Sequence, residues 1–113
     1  MVASSPLLRA PPYQVERALK LLGANLRTAR LRRNRSIAEV AEKIGVGRHV
    51  VSAAEKGKAS TGIAIYAAML WSLGLLDQLA DVADPDRDDE GKTLEKSRQR
   101  SKAGVSKGLT DDF

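Results

Sequence analysis

With 113 residues, 42% of them hydrophobic and 29% charged, the chain has room for one compact domain with flanking segments, which excludes a large enzyme. Its lack of cysteine excludes a disulfide framework and a thiolate metal site and points to a reducing cytoplasm, and its four aromatic residues leave the core to aliphatic side chains. The net charge of +5 belongs to residues 1–83, where twelve Lys and Arg face six Asp and Glu, because residues 84–113 hold seven against eight.

Residues 1–12 are rich in Ser, Pro and Ala and end in Pro11-Pro12, so they read as a flexible arm. They lack the apolar run of a signal peptide, and no stretch of the chain approaches the ~20 apolar residues of a membrane span. From Tyr13 onward Val15, Leu19, Leu22, Leu26 and Ala29 recur at intervals of four and three, which predicts one face of a first helix ending at Asn34. Five arginines (Arg27, Arg30, Arg32, Arg33 and Arg35) fall within nine residues there, a density suited to a polyanion. Ser36-Ile37-Ala38-Glu39 has the form of a capping box, so a second helix starts at Ser36 and carries Ile37, Val40, Ala41 and Ile44 to a stop at Gly45. A third short helix follows Gly47 and runs to Glu55, with Val50, Val51 and Ala54 inward and Arg48, His49, Ser52 and Ala53 outward. Gly57 ends it. A fourth helix over Ile63–Leu73 is apolar nearly all round, which predicts cover from its own domain and from a second subunit. A fifth is expected over Leu75–Ala83. From Asp84 the composition turns to Asp, Lys, Arg, Ser and Gly, with Leu94, Val105, Leu109 and Phe113 as its sizeable apolar residues, which predicts a charged, disordered tail over 84–113.

Two short helices joined by a tight glycine turn form a helix-turn-helix, whose second helix enters the DNA major groove. Here Ala41 is small at the crossing, Gly45 permits the turn, Val46 fills beneath it and Val51 packs inward. At these residues the chain resembles the Xre/Cro-type helix-turn-helix family of phage repressors and bacterial regulators, over roughly Leu22–Leu75. The family pattern is present as Ser36, Ala41, Gly45-Val46, Ser52 and Glu55-Lys56-Gly57. The resemblance implies an all-α, five-helix phage-repressor-like domain over residues 13–83 and an internal ion pair between Arg30 and Glu55. The chain departs from the pattern at Ile37, where many members have a phosphate-contacting Gln, and at Gly47, where Ser or Thr usually caps the recognition helix. A narrower resemblance, to HipB-like antitoxins, comes from Leu26-Arg27-Thr28-Ala29-Arg30-Leu31-Arg32-Arg33, from Tyr66–Leu75, and from Asp84-Pro85 with Asp88-Asp89-Glu90-Gly91 and Leu94. It implies a small dimeric repressor in the cytoplasm, associated with the nucleoid, that binds its own operator and a HipA-like kinase toxin.

On this reading Arg48 and His49 meet base edges from the first exposed turn, and Ala53 meets a thymine methyl. Ser52 is either a base or phosphate contact or a small packing residue. Arg33, Arg35, Ser36 and Gly47 are candidate phosphate contacts, and Lys56 and Lys58 are placed to reach phosphate or to form a plain surface pair. Tyr66, Met69, Leu70, Trp71 and Leu73 are the candidate dimer interface. His49 is the one histidine, so neither a metal site nor a catalytic triad has an imidazole partner; no catalytic residue, metal or cofactor is expected. The tail is expected to capture the kinase by folding on it, with Leu94 and Phe113 as anchors.

Overall fold

The computed structural model describes residues 5–105, and within them every regular element is helical. A single turn, α1 (Pro6–Arg9), precedes α2 (Tyr13–Arg32), α3 (Ile37–Ile44), α4 (Arg48–Glu55) and α5 (Ile63–Ser72). Two 3-10 turns, Leu76–Asp81 and Pro85–Arg87, lead to α6 (Asp89–Val105). The chain divides into two compact units, one through Leu79 and one from Ala80.

Local chemistry fixes where the helices begin and end. Pro12, with its φ held at −53°, occupies the N-cap of α2 and stops the helix from extending backwards. The capping box predicted at α3 is complete: Glu39 N–H donates to the Ser36 hydroxyl at 3.0 Å and Ser36 N–H donates to the Glu39 carboxylate at 2.8 Å. One device ends α2, α3, α4 and α5. Asn34, Gly45, Gly57 and Gly74 take positive φ of 54°, 78°, 72° and 76°, and the next residue's N–H reaches a carbonyl five positions back. These bonds are Arg35 to Arg30, Val46 to Ala41, Lys58 to Ala53 and Leu75 to Leu70, at 2.8–3.2 Å.

The core of the first unit joins α2 through α5. Leu26, Val40, Ala41, Val51, Ala54, Tyr66, Met69 and Leu73 are buried together, with Leu22, Ala29, Ile37, Ile44, Val46, Ile65, Leu70 and Leu75 packed around them. Helix α4 packs on α2, α3 and α5, so it is held from three sides.

Several expectations need correction. Val15 is exposed, because the core begins only further along α2. Tyr66, Met69 and Leu73, expected at a dimer interface, lie instead in the core of the first unit at 2%, 1% and 4% exposure; Leu70 is half-buried and Trp71 is exposed. The fifth α-helix is instead a 3-10 segment: Leu76, Leu79 and Val82 recur every three residues, the 3-10 period, and the segment spans the division between the units. Within the arm, Pro6–Arg9 forms a turn capped by the Ser5 hydroxyl. Within the tail, Asp89–Val105 is helical rather than structureless, started by Asp88, whose carboxylate accepts from Gly91 N–H at 3.0 Å. That helix builds no core, as its composition required, for no residue from 89 to 104 is buried. Leu109 and Phe113 lie outside the described residues.

Candidate nucleic-acid interface

The geometry of α4 is set by how closely it approaches α2. Gly23 lies buried at the contact, and a Cβ there would stand 2.5 Å from the Glu55 carbonyl oxygen and 2.6 Å from that of Ala54. Gly57, besides its positive φ, would bring a Cβ to 2.6 Å from the Leu19 carbonyl oxygen. Two glycines therefore let backbone meet backbone at the C-terminal end of α4.

A buried ion pair locks the same end. Arg30 donates to Glu55 through Nε at 2.7 Å and Nη2 at 2.9 Å, while its Nη1 donates to the Arg35 carbonyl at 2.8 Å. The bidentate bond to Glu55 raises the Arg30 pKa above the usual guanidinium value, so the guanidinium stays charged. At the start of α3, the Ser36 backbone N–H and hydroxyl hold the Glu39 carboxyl below the usual glutamate range.

With α4 so held, its N-terminal turn faces outward. Arg48 and His49 are exposed, and the N-cap residue Gly47 gives the first turn no side-chain cap. The His49 ring folds back over Gly47: a Cβ at residue 47 would lie 2.7 Å from its Cε1 and Nδ1. A side chain at residue 47 would have to displace that ring. Helices α3 and α4, the Gly45 turn between them and the outward first turn of α4 make the arrangement of a DNA-reading unit. A family model described as a helix-turn-helix domain matches residues 21–90, more than half of the chain. The chain belongs to the helix-turn-helix domain family. No curated protein and no solved structure matches it.

In this helix-turn-helix the candidate base readers are not equally presented. Arg48 and His49 stand free, whereas Ser52 and Ala53 are half-buried. Lys56 and Lys58 are exposed just past α4. Arg33 is exposed with Nη1 on the Ala29 carbonyl at 2.9 Å. Arg35, expected on phosphate, is half-buried and donates to the Ser72 carbonyl at 2.7 Å, a cation closing the C-terminal end of α5. Ser36, expected on phosphate, is exposed, but its backbone N–H and its hydroxyl are both engaged with Glu39 in the capping box. Two features escape a reading of the sequence. The role of Gly23 is signalled only by a lone glycine inside a helical pattern, usually a sign of close packing; the placement of Lys43 Nζ 5.2 Å from the Trp71 ring centre has no sequence signal.

Among the described residues no group of three or more His, Cys, Asp or Glu could hold a metal ion, and no helix is long and apolar enough to cross a membrane.

Proposed function

We propose that this helix-turn-helix protein is a sequence-specific transcriptional repressor that binds its operator as a homodimer and serves as the antitoxin of a HipA-like kinase. Exposure of Arg48 and His49 on a recognition helix fixed by the Arg30–Glu55 pair carries the DNA-reading part. Arginine pairs bidentately with guanine, and the helix that carries Arg48 is held in place by the core and the ion pair. Lys56, Lys58, Arg33 and the first-turn amides of α4 supply phosphate contacts that fix register without reading sequence. Repression follows from occupying the operator, with no covalent chemistry. The homodimer is supported by the outer stripe of α5, where Ile63, Ala67, Leu70 and Trp71 share a face and Ile63 and Trp71 are 67% and 53% exposed.

The kinase partner rests on the resemblance of Leu26–Arg33, Tyr66–Leu75 and the stretch from Asp84 to Leu94. A stand-alone regulator is the second reading. Burial of Tyr66, Met69 and Leu73 favours it, since core packing alone accounts for those residues of the second segment.

Arg48→Ala is expected to cost about 1–3 kcal/mol on the operator and to relax preference at one base pair, whereas Lys56→Ala weakens binding to every duplex alike. Titration of both variants against the DNA upstream of the gene and against random duplex checks this, and equal losses on the two DNAs for Arg48→Ala would remove its base-reading role. Co-purification of the full chain with the product of the neighbouring gene decides between the two readings: capture of a HipA-like kinase supports the antitoxin, and a neighbour without kinase-like sequence leaves the stand-alone regulator.

A further inference from the structure

We infer that α6 is a second DNA-binding element, one that grips the phosphate backbone without reading bases. The inference rests on the DNA-binding reading above and concerns the unit from Ala80 onward, taken by itself.

Helix α6 has no apolar face. From 89 to 104 every residue is exposed except the half-buried Gly91, and Leu94, at 59% exposure, is the one large apolar side chain of that span. A helix that buries nothing is kept for what its surface carries, and this surface is sharply divided by charge. Residues 81–90 hold six Asp and Glu against Arg87, and residues 92–102 hold five Lys and Arg against Glu95. Half of the acidic residues have a local explanation at this helix, because Asp88 caps it and Asp89 and Glu90 lie in its first turn, where negative charge is favourable. The basic run has none of that kind. It starts at Lys92, in the first turns of the helix, whereas the backbone dipole favours cations only in the last turn.

The spacing of those cations works against the free helix. Lys92 and Lys96, and Lys96 and Arg100, are each four apart, the separation at which like charges destabilise a helix. Lys92 Nζ donates to the Asp86 carbonyl at 2.7 Å, but Lys96, Arg98 and Arg100 have no hydrogen-bond or ion-pair partner among the described residues. A polyanion lying along Lys92, Lys96 and Arg100, which share a face at steps of about 6 Å, turns that repulsion into attraction and releases counterions.

Duplex DNA is the occupant that fits. The first unit of the same chain delivers α6 to it, so the second contact is intramolecular and needs little intrinsic affinity. An anionic membrane would require an apolar face to insert, and a protein groove would require more anchors than Leu94.

The full-length chain carrying Lys96→Gln, Arg98→Gln and Arg100→Gln together tests this, since glutamine keeps helix propensity while removing charge. On random duplex the slope of log affinity against log salt is expected to become shallower by about two to three, each phosphate left unneutralised contributing about 0.9, with affinity down at least about tenfold and sequence preference kept. Amide exchange in wild-type protein should slow over residues 92–102 when random duplex is added. An unchanged salt slope with unchanged exchange overturns the inference while leaving the recognition helix standing, provided Arg48→Ala still relaxes sequence preference. Wild-type protein without affinity for any duplex overturns both. Tighter binding to phosphatidylserine vesicles than to random duplex also overturns it.

Discussion

Replacing Glu55 by Gln leaves the Arg30 guanidinium charged, buried and short of its carboxylate. Removing one partner of a buried pair typically costs about 3–5 kcal/mol, so the domain is expected to lose more than about 12 °C in melting temperature. Arg30→Met combined with Glu55→Leu should recover most of that loss, since no charge is then left unpaired. Thermal unfolding of the three proteins checks the pattern; a double variant as unstable as the single one would show that the pair stabilises the fold beyond cancelling its own desolvation. The two sides of this pair are legible in the sequence because the resemblance matches Arg30 and Glu55 residue by residue. Arg35 is not, because the direction of a long side chain depends on a carbonyl 37 positions away, at Ser72. His49 is exposed as its place in the helix pattern requires, but its ring also rests over Gly47, a contact between neighbours that residue type alone does not announce.

The helices themselves are readable to the extent that their ends are local chemistry. Ser36 with Glu39, and Asn34, Gly45, Gly57 and Gly74, each act within a few residues of themselves, so sequence carries the whole signal. Packing distances between helices carry no such signal. Gly23 is one glycine in a twenty-residue helix, and its meaning depends on the Ala54 and Glu55 carbonyls across the contact. Gly23→Ala, although it raises helix propensity, is expected to destabilise the domain by about 1–3 kcal/mol by forcing α2 and α4 apart. Operator affinity should fall with it, because the same displacement tilts the turn that presents Arg48. Denaturant unfolding together with DNA titration checks both effects, and a stabilised variant would mean that the contact yields easily. The segment after Asp84 departs from expectation for a different reason. Composition correctly excludes a core there, but a helix started by Asp88 and exposed on all sides does not need one.

For the whole molecule, the proposed homodimer stands or falls with the stripe of Ile63, Ala67, Leu70 and Trp71. If two copies cover it, the protein sediments at twice its 12.2 kDa at micromolar concentration, and Ile63→Asp with Trp71→Asp returns it to a single chain with much weaker operator binding. Both side chains are exposed, so the pair tests association and not folding. A wild-type monomer under these conditions would remove the dimer, and with it the expectation of half-sites about 34 Å apart.

The division of charge along the second unit has one more consequence, for the way the protein arrives. Six acidic residues at one end and five cations along the helix give that unit a permanent electric moment. It opposes the backbone dipole of about half an elementary charge at each end and exceeds it. In the field of a duplex the cationic stretch is attracted and the acidic stretch repelled before any contact forms. The effect belongs to the rate of encounter: it speeds association, fades as salt shortens the reach of the field, and leaves the lifetime of the finished complex to the contacts themselves.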